Sequence, residues 1–119
     1  MIQVAICDDH VMVREALAAV IAHEDGLEVV GITDSIASTR ELLQNMTPDV
    51  LVADVRLDGE SGLDVARAVV AEHPHVKVIV LTSFNSDEAL VAAYELGASA
   101  FVLKTGSSLG LMNTIRDVA

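Results

Sequence analysis

An α/β fold, with a parallel sheet covered by helices on both faces, is what this sequence predicts. Three observations carry that expectation. Five apolar runs, IQVAIC, LEVVGI, DVLVA, VKVIVL and AFVL, are continuous rather than alternating, as strands buried on both faces are. Stretches with helical spacing separate them, so strand and helix alternate along the chain, the pattern of right-handed βαβ crossovers. Four of the five runs also stop at residues able to do chemistry: Asp8-Asp9, Asp54, Thr82 and Lys104. Ligands of open α/β sheets bind beyond the carboxyl ends of the strands. Three carboxylates, a hydroxyl and an ammonium are therefore expected around one crevice.

Taken in order, strands are expected over residues 2–7, 27–32, 49–53, 76–82 and 99–103, and helices over 11–23, 36–46, 62–73, 86–96 and 107–118. In the first helix only Arg14, Glu15 and His23 interrupt the apolar residues. A helix apolar nearly all round wants a second burial surface, unless its small alanines simply tolerate water. The second run ends at the ordinary turn residues Thr33 and Asp34. Pro48 and Asp49 open the third strand. The third helix carries a polar stripe through Asp64, Arg67 and Glu72 and ends at Pro74. Ser86 can cap the fourth helix, with Asp87 and Glu88 opposing its dipole. Gly97 stands where that helix stops through a left-handed residue. Gly110 weakens the last helix by about 1 kcal/mol relative to Ala.

Composition bounds the function. The 119 residues fit one domain with a real core and no need of disulfides or metal staples. Cys7 is the one cysteine, which suits a reducing cytoplasm. No uncharged stretch reaches the ~18 residues of a membrane span, and the chain enters its first strand with no basic n-region or small-residue cleavage site, so secretion is not expected. Eighteen acids against seven Lys and Arg give a formal charge of −11, which repels nucleic acid and anionic membranes alike.

The constellation favours phosphoryl chemistry. Neighbouring carboxylates resist joint ionisation unless a cation is present. Asp8, Asp9 and Asp54 offer hard oxygen ligands in small number, which suits Mg²⁺ shared with a phosphate. Lys104 can neutralise phosphoryl oxygens as a point charge, Thr82 can donate a hydrogen bond to them, and a carboxylate can be the nucleophile.

On these residues the chain resembles the receiver domain of bacterial two-component response regulators over its whole length. Asp8-Asp9, Asp54, Thr82, Lys104 and Gly62 match the family motifs. The strings CDDHVMVREAL and ELGASAFVLKT are similar to the NarL/FixJ subfamily, whose members usually carry a LuxR-type helix-turn-helix after the receiver. The resemblance implies a flavodoxin-like five-stranded parallel sheet of order 2-1-3-4-5. It implies that Asp54 accepts phosphate from a histidine kinase. Asp9, Asp54 and the backbone carbonyl of Arg56 are then the Mg²⁺ ligands, with Asp8 helping mainly through water. Lys104 holds the phosphoryl oxygens, Thr82 moves toward them, and Phe101 is the aromatic that swings inward. It further implies that residues 1–119 are the N-terminal receiver fragment of a longer cytoplasmic DNA-binding regulator. DNA is then reached only through the missing helix-turn-helix domain. A phosphorylation-sensitive homodimer through the first and last helices is the other expected partner, beside the kinase.

Two departures from the family pattern stand out: Asp58 replaces a proline four residues after Asp54, and Thr105 replaces the proline that often follows the lysine. Arg56 and Phe84 occupy positions where relatives tune phosphate lifetime. Cys7 reads as a small core residue, His10 as a loop residue, and His73 and His75 as a surface turn, since two histidines without a third ligand make a poor metal site. Tyr94 is read as packing or signalling. The alternative function is a Mg²⁺-dependent phosphatase working through an aspartyl phosphate. Against it, Arg56 occupies the position two residues after the nucleophile where such enzymes place an acid, and 119 residues leave little room for a substrate cap. No G-x-G-x-x-G follows any strand, so no dinucleotide site is expected.

Overall fold

Val, Ile, Leu and Ala runs that exclude water on both sides can be satisfied only between two helical layers, and that arrangement is observed. The computed structural model describes the chain except residues 9, 10, 55, 58, 59, 83–86 and 104–107. Of residues 11–14, 56, 57, 60–62, 82, 87–90, 103, 108 and 109 it describes only the backbone. The elements are β1 (Ile2–Cys7), α1 (Val11–Ala22), β2 (Leu27–Thr33), α2 (Ile36–Asn45), β3 (Val50–Asp54), β4 (Arg56–Leu57), β5 (Glu60–Ser61), α3 (Gly62–Glu72), β6 (Lys77–Thr82), α4 (Asp87–Leu96), β7 (Ala100–Leu103) and α5 (Ser108–Val118).

The main sheet is parallel, in the order β2-β1-β3-β6-β7. Setting aside the small antiparallel pair β4–β5, this is the expected 2-1-3-4-5. The expected boundaries of the five main strands and five helices agree to within about a residue. The β4–β5 pair was not foreseen, since two-residue strands leave no periodicity to read.

Alternate residues of each strand feed two cores. Ala5, Cys7, Leu51, Ala53, Val78 and Val80 pack with Leu43 of α2, Val65, Ala66 and Val69 of α3 and Ala93 of α4. Val4, Ile6, Val50, Val52, Ile79 and Leu81 pack with Ile21 of α1 and Leu111, Met112 and Ile115 of α5. Helices α2, α3 and α4 thus cover one face, and α1 and α5 the other.

Local chemistry sets the helix ends. Ser35 caps α2: its hydroxyl accepts the Ser38 N–H at 3.1 Å, and Ser38 Oγ reaches back to the Ser35 N–H, a reciprocal capping box. At the end of α4, Gly97 takes φ +93°. There Ala98 N–H donates to Ala93 O and Gly97 N–H to Tyr94 O, the two bonds of a Schellman stop. Gly31 serves closeness instead: a Cβ there would lie 2.7 Å from both Leu42 methyls, so α2 seats directly on edge strand β2. The Ser86 cap expected for α4 lies outside the described residues.

On α1, among the residues whose side chains are described, Ala16, Ala19 and Val20 face solvent while Ile21 is buried. Arg116 of α5 donates to Glu24 Oε1 at 2.8 Å and to the Asp25 carbonyl at 3.2 Å, tying α5 to the loop after α1. Among the described residues no helix is long and apolar enough to cross a membrane.

Candidate functional site

The crevice lies where β1 and β3 end side by side. Cys7 pairs with Ala53, so Asp8 and Asp54 are the next residues along two strands that run roughly 4.8 Å apart. Both are buried, Asp8 fully and Asp54 to within 3% exposure. Asp54 keeps the alternation of Val50 and Val52. From β1 the chain crosses outward to β2, and from β3 it crosses the other way to β6. Between β1 and β3 is therefore the point where successive crossovers diverge and leave a crevice open above the strand ends.

The remaining expected residues follow the register. Asp54 pairs with Leu81, so Thr82, the last residue of β6, stands one step further along, where it pairs with Leu103. Lys104 follows Leu103 directly and lies outside the described residues, as do Asp9, Asp58, Phe84, His10 and Thr105. The backbone of Arg56 begins β4, two residues past Asp54. Phe101 pairs with Val80 and packs, partly buried, against the three-helix core. Tyr94 is 85% exposed, which removes a packing role. Cys7 is fully buried in the core, as read from the sequence.

Asp8 is held from the edge of the sheet. Its N–H donates to the Thr33 carbonyl at 3.0 Å. Thr33 is not a turn residue, as its sequence position suggested, but the last and buried residue of β2. Its Oγ1 lies 2.7 Å from Thr39 Oγ1, and Thr39 Oγ1 donates to the Ser35 carbonyl at 2.7 Å. Thr39 was not singled out from the sequence, nor was the contact between these two threonines foreseen. The readable trace was the Ser35-x-x-Ser38 cap, with serine where such boxes usually carry Glu or Gln; Thr39 inside a helix gave no signal.

Chemically, two carboxylates buried on adjacent strand ends are hard oxygen donors in small number, a set that fits Mg²⁺. Among the described residues no group of three or more acid, His or Cys side chains gathers; two of the three expected acids are described.

Comparison with known proteins agrees with this geometry. Residues 4–116 match the family model described as response regulator receiver domain. The chain is 35% identical over 118 residues to the DNA-binding transcriptional activator DevR/DosR of Mycobacterium tuberculosis, covering 99% of this chain and 54% of that protein. It is 34% identical over 116 residues to the transcriptional regulatory protein LiaR of Bacillus subtilis, covering 98% and 55%. The chain thus spans about half the length of the curated relatives it matches. A crystal structure of a LuxR-family DNA-binding response regulator from Staphylococcus aureus superposes with a TM-score of 0.91 at 28% identity, covering 99% of this chain and 98% of that one. With its sheet order, its paired acids and this match over nearly its whole length, the chain belongs to the response regulator receiver domain family.

Proposed function

We propose that this chain is the phosphorylation-controlled switch of a two-component transcriptional regulator, with Asp54 as the phosphoacceptor. The observation that carries the reading is the burial of Asp8 and Asp54 on adjacent strand ends at the divergence of the sheet. An Asp54 carboxylate oxygen attacks the phosphorus of a phosphohistidine on the cognate kinase. The new O–P bond forms as the N–P bond breaks, and the histidine nitrogen keeps the electron pair. Asp8, Asp9, Asp54 and the Arg56 carbonyl are the groups to hold Mg²⁺, which when bound offsets negative charge on the carboxylates and the transferring group. Lys104 neutralises the phosphoryl oxygens and Thr82 hydrogen-bonds to them. The added charge of about −1.5 to −2 biases a two-state equilibrium of the loop after β6 and of Phe101.

The test is incubation with acetyl phosphate, with and without Mg²⁺, read by intact mass. The expected result is one phosphoryl group per chain, dependent on Mg²⁺ and absent in Asp54→Asn. Phosphoryl uptake by Asp54→Asn, or sustained turnover of ordinary phosphoesters, would overturn the reading.

The output is a homodimer through α1 and α5, serving a DNA-binding domain that the curated relatives' names imply and these residues do not contain. Leu17 and Val20 lie one turn apart on α1, Val20 is 39% exposed, and the loop after α1 meets α5 where Glu24 pairs with Arg116. Val20→Glu is expected to abolish the rise in oligomer size on phosphorylation, measured by light scattering. Unchanged association would place the interface elsewhere.

A further inference from the structure

Beside the acid pair lies a buried polar cluster that the phosphoryl chemistry does not itself use. Thr39 is 1% exposed and Thr33 6%, both on the three-helix face with Cys7. The two hydroxyls sit 2.7 Å apart. Thr39 Oγ1 also lies 2.7 Å from the Ser35 carbonyl and 3.5 Å from Cys7 Sγ, and Thr33 Oγ1 is 3.4 Å from the Ile6 carbonyl. The pair thus spans three elements: the capped start of α2, the end of β2 and the last residues of β1.

Each hydroxyl has one proton, and that decides how the cluster works. In one arrangement Thr39 donates to Ser35 O and Thr33 donates to Thr39. In the other Thr39 donates to Thr33, which donates to Ile6 O. The 2.7 Å contact to Ser35 is much the shorter of the two competing bonds, so the first arrangement dominates. Thr33 is then drawn toward the α2 cap, and the cap is itself fixed by the Ser35–Ser38 box. The Thr33 carbonyl is the acceptor of the Asp8 N–H. Whatever fixes Thr33 therefore fixes the height at which Asp8 leaves β1 and meets Asp54.

We propose that Thr33 and Thr39 are positioning residues for the cation site: a hydroxyl clamp that registers Asp8 against Asp54 by anchoring β2 to the start of α2. The inference rests on the reading of Asp8 and Asp54 as a Mg²⁺ site. Outer-shell groups that orient ligands typically change metal affinity by 10–100-fold when removed. An apolar isostere leaves the packing volume in place and removes only the hydroxyl, so Thr39→Val isolates the clamp.

The experiment measures Mg²⁺ affinity by titration calorimetry for the wild-type chain, Thr39→Val, Thr33→Val and Thr39→Ser. Amide hydrogen exchange at Asp8 in the metal-free protein is followed alongside. Thr39→Val is expected to weaken Mg²⁺ binding about tenfold and to speed exchange of the Asp8 amide. Thr39→Ser restores both, and saturating Mg²⁺ restores phosphorylation by acetyl phosphate in Thr39→Val. A purely structural role would lower resistance to urea while leaving affinity and Asp8 exchange as in wild type, and that result overturns the clamp. Should Thr39→Val not fold, Thr33→Val answers the same question by the same readouts. If the wild-type chain itself binds no Mg²⁺, the site reading fails and the clamp fails with it; wild-type binding with unchanged affinity in folded variants overturns the clamp alone.

Discussion

The two ends of the β1–β3 pair both carry aspartate, and the contrast between them separates architecture from chemistry. At the amino end, Asp49 is exposed and its Oδ2 accepts the Gln3 N–H at 2.8 Å. Its backbone bridges the strands, with Asp49 N–H donating to Gln3 O and Lys77 N–H to Asp49 O. At the carboxyl end, Asp8 and Asp54 are buried next to each other. The same residue type thus stitches the sheet at one end and gathers buried oxygen donors at the other.

The strongest way to break this comparison is Asp54→Asn. Phosphoryl incorporation from acetyl phosphate falls to nothing by intact mass, whereas Asp49→Asn incorporates as the wild type does. Next comes Asp8→Asn, which removes one of the carboxylates at the carboxyl end. Calorimetric Mg²⁺ affinity is expected to drop at least about tenfold. Unchanged affinity in this variant would remove Asp8 from the cation site. Asp49→Ala removes the acceptor of the Gln3 N–H and is expected to cost about 0.5–1.5 kcal/mol in urea unfolding, with Mg²⁺ affinity unchanged. The smallest effect belongs to Asp49→Asn, whose amide oxygen still accepts that bond. Stability should move by no more than about 0.5 kcal/mol.

The same contrast explains what could be read in advance. The ends of β1 and β3 were legible because each continuous apolar run stops abruptly at an aspartate. Gly97 announced the end of α4, and its positive φ bears that out. Thr33 was misread because the residue after an apolar run is usually a turn. Its burial depends on Thr39, which only the fold of α2 back onto β2 brings within 2.7 Å. Tyr94 could not be assigned a surface or a core position from its helix alone, since that depends on which face of α4 meets the sheet.

By itself, the sequence determined the elements, their order along the chain and the residue types at the strand ends, because apolar continuity and helical spacing are local properties of the chain. Tertiary structure alone decided the register. Strands buried on both faces lack the period-two alternation that pins pairing in half-exposed strands, so nothing in IQVAIC or DVLVA says that Cys7 stands beside Ala53. That pairing brings Asp8 and Asp54 level, buries both and turns two separate strand ends into one site.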